Sequence, residues 1–132
     1  MPFHVRRLNP DDALPTLALA RLEEPDLTPE AWRDRLAQPE DRGGAFAAFR
    51  RDAASALLSY DVAASPDGGD YLLIRALAAF DLVDPERVAR ILVGAVCGRQ
   101  QDAGRRVAWA PTCPATAFQQ DVARAASLHS IL

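Results

Sequence analysis

The residues best placed to do chemistry gather at one corner of the chain, "LAAFDLVDPERVARILVGAV" (77–96). An apolar run stops at Asp81, and Asp84 with Pro85 opens a helix. Free N–H groups at a helix start, with the helix dipole behind them, attract an anion such as a phosphate. Yet this corner holds three acids, Asp81, Asp84 and Glu86, and no glycine where a phosphate loop needs one. Asp84 as an N-cap would itself occupy amides that a phosphate requires. Arg87 and Arg90 offset part of the negative charge if they turn toward a ligand. Elsewhere, Asp61 and Asp81 are strand-end carboxylates able to serve as a base, directly or through water; the plainer reading is a solvated strand end. Cys113 precedes Pro114 at an expected helix start, where a thiol pKa falls. No nearby His or acid completes a nucleophilic pair, so a loop or cap cysteine is the simpler reading. Cys97 reads as core. His4 and His129 have no second ligand at metal spacing, so no metal site is expected. The Arg pairs 6–7, 50–51 and 105–106 read as solvated strand ends. Trp32 and Trp109 read as core, with a pocket wall as the other reading for Trp32.

The elements that must position these groups follow from periodicity and punctuation. Strands are expected at 3–8, 45–50, 53–65, 70–80 and 105–110. Residues 70–80 are nearly continuously apolar, as in a strand covered on both faces. "PDGG" (66–69) is the strongest turn signal. The first helix starts with Asp12 as N-cap and Pro15 in its first turn, and runs through Leu14, Leu17, Ala18 and Leu22. "EEPDL" breaks it. Thr28 caps a second helix with Pro29 at its first position and Trp32 and Leu36 on its apolar face. A third runs from Pro85 to about Ala103, with Val88, Ile91, Leu92, Ala95 and Val96 buried; Gly94 and Gly98 would let it approach the sheet closely. The segment 113–132 is mostly a last helix, with Phe118, Val122, Ala125 and Leu128 inward. The strand-helix-strand piece from 70 to 110 predicts a parallel crossover beside an antiparallel hairpin. The fold class is therefore α+β, a mixed five-stranded sheet flanked by about four helices, in a single domain over 1–132.

The bulk numbers fit that size. The 132 residues suffice for one core. The apolar fraction is 49%, the charged fraction 25% and the net charge −3. That balance disfavours nucleic acid or an anionic membrane as partner. All 15 basic residues are Arg and 26 residues are Ala, the pattern of a GC-rich, bacterial-like coding bias. Two cysteines make no disulfide framework. The opening "MPFHVRRLNPDD" has no apolar h-region and no run reaches the ~20 apolar residues of a membrane span, so a cytoplasmic protein is expected.

The element order, with its "VRRLNPDDA" opening, resembles the GNAT superfamily of N-acetyltransferases over nearly the whole chain. The resemblance implies that strand 70–80 and helix 85–103 hold acetyl-CoA, with the pyrophosphate at the helix start. It places that cofactor against Phe80, Leu82, Val83, Arg87 and Arg90. The family signature there is Gln/Arg-x-x-Gly-x-Gly/Ala, and the matching positions here are Val83, Glu86 and Val88. Side chains replace the glycines that let a backbone approach phosphate closely. The family also continues past its fourth helix with two more strands, whereas "LHSIL" makes at most the stub of one. An open edge at 105–110 invites pairing, and a homodimer is one solution.

Acetyl transfer to an amine needs a base for the amine and an acid for the departing thiolate. The family's acid is commonly a Tyr on the fourth helix, and 113–132 contains none. Tyr60 and Asp81 are then the candidate catalytic residues, Tyr60 if it faces the cleft. Tyr71 begins the long strand, away from the junction. The reading reached is a divergent acetyltransferase-like protein moving an acetyl group from acetyl-CoA to a small amine. The alternative is a non-catalytic GNAT-fold interaction or dimerisation module that has lost tight CoA binding. An unrelated α+β domain with the same order stands third; adjacent, parallel strands 70–80 and 105–110 separate it from the other two.

Overall fold

The computed structural model describes residues 3–66, 68–112 and 115–130. Chain order is β1 (His4–Arg7), a 3₁₀ turn (Pro10–Asp12), α1 (Ala13–Ala20), α2 (Pro29–Leu36), β2 (Gly43–Arg50), β3 (Ala53–Ala64), β4 (Asp70–Ala79), α3 (Pro85–Asp102), β5 (Arg106–Trp109), α4 (Ala117–Ala125) and β6 (His129–Ser130). The six strands form one sheet in sequential order. Strands β1 to β4 are antiparallel, and β4 pairs β5 in parallel, Tyr71 with Arg106 through Ile74 with Trp109. That adjacency is the arrangement expected of the crossover. The "LHSIL" stub is β6, two residues parallel to β5, which extends the expected five-stranded sheet.

Each sheet face has its own core. Helices α3 and α4 cover one face, where Val88, Leu92, Val96 and Val122 pack on Phe46, Leu58, Tyr60, Leu72, Ile74 and Leu77. Helices α1 and α2 cover the other, where Leu17, Trp32 and Leu36 pack on Ala45, Ala47, Leu57 and Ala78. Because both faces of β2 are covered, Gly43 to Phe49 are all buried.

Helix starts follow local polar chemistry. Thr28 Oγ1 accepts from the Ala31 amide, with Pro29 at the first position. Asp84 Oδ1 accepts from the Arg87 amide. Asn9 and Asp12 cap each other's amides around the 3₁₀ turn that leads into α1.

Four expectations change. Asp12 makes no side-chain cap on α1, and that helix buries Ala13, Thr16, Leu17, Leu19 and Ala20 while Leu14, Ala18 and Leu22 are exposed. The last helix starts at Ala117, not 113, because Thr116 and Gln119 form a reciprocal capping box there. Its inner stripe is then Gln119, Val122 and Ala123, while Ala125 is exposed; Ser127 takes a left-handed φ of 56° and ends it. Gly94 and Gly98 are exposed with open space where a Cβ would stand, so they set no close approach, and Ile91 and Ala95 are only half-buried. The first Arg pair is not simply solvated. Arg6 pairs Asp12 at 2.8 Å, and Arg7 is held by Tyr60 Oη, the Gln38 carbonyl and the Gly43 carbonyl. Among the described residues no helix is long and apolar enough to cross a membrane.

Candidate active site

Strands β4 and β5 run together only part of the way. After Ile74–Trp109, the Ala110 amide still donates to the Ile74 carbonyl and the Thr112 amide to the Arg75 carbonyl. Beyond that point the strands part. Opposite β3, Ser59 pairs Ala76 and Tyr60 pairs Ile74, so Arg75 is an extra residue, a bulge at the parting. Leu77 then has backbone groups with no strand to pair with, and buried backbone groups demand partners. Side chains supply them. The Glu23 carboxylate, from the α1–α2 turn, comes close enough to the Leu77 amide for that amide to favour its charged form. Gln119 Nε2, from the first turn of α4, donates to the Leu77 carbonyl at 2.8 Å and to Glu23 Oε1.

This puts a carboxylate at the mouth of the divergence. Burial pushes the Glu23 pKa above its ordinary value, and the Leu77 amide partly opposes that. Glu23, Arg75, Trp109, Thr112 and Gln119 enclose a cavity of about 10 Å³, room for roughly one water. A second cavity of about 10 Å³ lies behind Glu23, walled by Trp32, Arg35, Ser59 and Ala76. Trp32 is thus both core, with no exposed surface, and a cavity wall. Arg75 Nε lies 3.7 Å from Asp61 Oδ2. A half-buried carboxylate with a raised pKa in a sheet cleft can take a proton from an amine. Nothing in the sequence around "EEPDL" marks Glu23, because its partners lie on β4 and α4.

The junction beyond β4 is different. Asp81 Oδ1 accepts from the Val83 and Asp84 amides at 2.8 and 3.0 Å, and Asp84 Oδ1 accepts from the Arg87 amide at 3.1 Å. Those two amides, with Arg50 at 3.4 Å, hold the Asp81 pKa below the ordinary carboxylate value. The amides that would grip a pyrophosphate therefore already grip the protein's own carboxylates. Phe80, Leu82 and Val83 project outward, 66%, 92% and 88% exposed. Arg87 and Arg90 are exposed, and Arg90 leans on Glu86 at 3.5 Å. The residues at this corner do not fit a CoA pyrophosphate held by the α3 amides.

The remaining candidates fall elsewhere. Tyr60 is buried in the α3-side core, its ring 5.4 Å from Phe46. Its hydroxyl accepts from Arg7 Nε and donates to the Glu40 carbonyl, both at 3.0 Å, and burial raises its pKa. It does not share the cleft with Glu23. Tyr71 accepts from Arg106 Nη1 at the starting end of β4. There Tyr71, Cys97, Arg105 and Leu128 border a groove of about 530 Å³, away from the divergence. Cys97 is half-buried with its pKa raised by burial. Cys113, and the side chain of His129, lie outside the described residues. Among the described residues no group of three His, Cys, Asp or Glu is arranged to hold a metal ion.

No protein-family model and no curated protein matches the chain. Solved structures do. Aminoglycoside N-acetyltransferase AAC(6')-Iy, in complex with CoA, superimposes with a TM-score of 0.75 at 17% identity, covering 98% of this chain and 90% of that one. The aminoglycoside acetyltransferase meta-AAC0020 from an uncultured soil metagenomic sample, in complex with sisomicin, gives 0.74 at 15% identity over 94% and 86%. The ribosomal-protein-alanine N-acetyltransferase of Brucella melitensis biovar Abortus 2308 gives 0.72 at 11% identity over 96% and 89%. The chain therefore has the fold of these acetyltransferases.

Proposed function

We propose that this chain is a divergent acetyltransferase-like protein that acts on a small amine, with Glu23 as the base. One observation carries the reading: a carboxylate stands where β4 and β5 part, accepting from Gln119 Nε2 at the wall of a small cavity and lifted in pKa by burial. An alkylammonium entering beside it gives a proton to a Glu23 oxygen, directly or through the single water the cavity can hold. The resulting neutral amine has the lone pair that acyl transfer needs. Solved structures of the same fold carry aminoglycosides and CoA, which supports an amine as the acceptor class. Any acyl carrier here is held by contacts other than the α3 amides, so its grip is weak.

A second reading, a non-catalytic interaction or dimerisation module of the same fold, is favoured by one specific observation. Asp81 and Asp84 take the Val83, Asp84 and Arg87 amides at the α3 corner. Calorimetric and thermal-shift titration with acetyl-CoA separates the two. Ligand at a hundred times its Kd stabilises a fold by about 2.7 kcal/mol. A shift at millimolar acetyl-CoA, with amine acetylation that falls about 100-fold in Glu23→Gln, supports the first reading. No shift and no acetylation, with a dimer by light scattering, supports the second.

A further inference from the structure

Gln119 is 7% exposed, one of the few buried polar side chains of the described residues. A buried amide demands partners for each of its donors and acceptors. Here it finds them on three elements. Its Oε1 accepts from the Thr116 amide at 2.9 Å, which caps its own helix. The two hydrogens of its Nε2 go to the Leu77 carbonyl on β4 and to Glu23 on the α1–α2 turn. The capping oxygen leaves only one orientation of the amide, with the donors aimed into the divergence. The Leu77 carbonyl accepts from Gln119, and the Leu77 amide lies beside the Glu23 carboxylate. Gln119 thus ties the α1–α2 turn, β4 and its own helix start together at one residue of β4.

We propose that Gln119 is the positioning residue for Glu23, fixing its carboxylate at the mouth of the β4–β5 divergence. The inference rests on the reading of Glu23 as the base. Its mechanism is that of a donor to an anion: an N–H aimed at a carboxylate favours the charged form and restrains its rotamer. The other charged groups around Glu23 are Glu24, Arg35 and Arg75, and the buried Arg75 Nε has no hydrogen-bond partner among the described residues. Glu24 on the same turn is paired with Arg35 of α2 at 2.8 Å. Arg75 of β4 shares the cavity wall and leans toward Asp61 of β3. From β5 and the segment after it, Trp109 and Thr112 bring no charge. Gln119 is the direct hydrogen-bond donor to the carboxylate.

The test follows the Glu23 side-chain carboxyl carbon by NMR through a pH titration of the full chain, with the resonance assigned by its loss in Glu23→Gln. Gln119→Met keeps the volume and removes the donor. The Glu23 midpoint is expected to rise by about half a pH unit or more. Gln119→Glu keeps the length and puts a second carboxylate beside the first, and the midpoint is expected to rise further as the two share a proton. If one variant fails to fold, the other still decides. A Glu23 midpoint that matches wild type in a folded variant, judged by retained Val122–Leu77-side methyl contacts, overturns the proposal. This readout needs no acyl donor. A moved midpoint in a protein that acetylates nothing keeps the positioning role and removes the function proposed above.

Discussion

Replacing Thr16 by Val tests how the turn that carries Glu23 is held. Trp32 Nε1 donates to Thr16 Oγ1 at 2.9 Å, and Thr16 Oγ1 donates to the Asp12 carbonyl at 2.7 Å. Trp32 is fully buried and Thr16 is 1% exposed, so water cannot replace either partner. Valine matches threonine in shape and nearly in helix propensity. The substitution therefore removes one hydroxyl and leaves a buried indole N–H alone. A buried donor left without an acceptor costs about 1–3 kcal/mol, and we expect about 2. With a urea m-value of about 2 kcal/mol/M, the midpoint falls by about 1 M. The assay is urea unfolding followed by tryptophan fluorescence and far-ultraviolet circular dichroism, whose agreement checks two-state behaviour. Thr16→Ser keeps the hydroxyl and loses a methyl, at about 0.8 kcal/mol. A Val variant within about 0.5 kcal/mol of wild type, or a Ser variant less stable than Val, would show that the buried hydroxyl does not hold the indole. The tie between α1 and α2 would then rest on apolar packing alone.

Two further outcomes are expected. Gly44 has φ +139°, and a Cβ there would stand 2.7 Å from Arg7 Nη2, so Gly44→Ala should cost about 2 kcal/mol and weaken the Arg7 bond to the Tyr60 hydroxyl, leaving its bond to the Glu40 carbonyl, read by calorimetry and by the tyrosine near-ultraviolet signal. Two of the three perturbed carboxylates, Asp12 and Glu23, should pull acid stability in opposite directions. The hydrogen bond from Arg6 lowers the folded pKa of Asp12, so its contribution is present above about pH 4 and is lost as pH falls through the folded value; Arg6→Gln should flatten that part of the urea-midpoint profile. Burial raises the folded pKa of Glu23, so its contribution is present below about pH 4.3 and is lost as pH rises through the folded value; Glu23→Gln should abolish that fall. A profile for either variant that parallels wild type from pH 2.5 to 7 would contradict the assignment.

What the sequence made legible was local. Thr28 and Asp84 announce their helices because a cap needs only the next three residues. The apolar run of β4 shows its buried state because both faces must be covered. The α4 start was also written locally, in Thr116 and Gln119, but an Ala-rich stretch offers helical spacing at several offsets, and the longer reading put Ala125 inside instead of Ala123. The candidate site is long-range. Glu23 looks like a solvated acid in a helix break until the fold sets Leu77 and Gln119 beside it. Tyr60 shows the reverse. A tyrosine on a strand can serve as an acid, but Arg7 and the Glu40 carbonyl, brought in by β1 and the loop before β2, fix it as a core strut. The α3 corner was readable in kind, three acids and no glycine. Its wiring, Asp81 onto two amides and Asp84 onto a third, came only with the backbone.

The extra residue at Arg75 fixes which way the end of β4 looks. Side chains alternate along a strand, so residues an odd number apart normally point oppositely. Leu72 and Leu77 nonetheless serve the same core, because Arg75 takes one step out of the ladder. Deleting that single position would turn the strand's last four residues over, sending Leu77 toward α1 and Ala78 toward α3. The frame of this cleft is therefore counted in single amino acids, and lineages that shorten or lengthen β4 at this point would exchange its lining wholesale, not gradually.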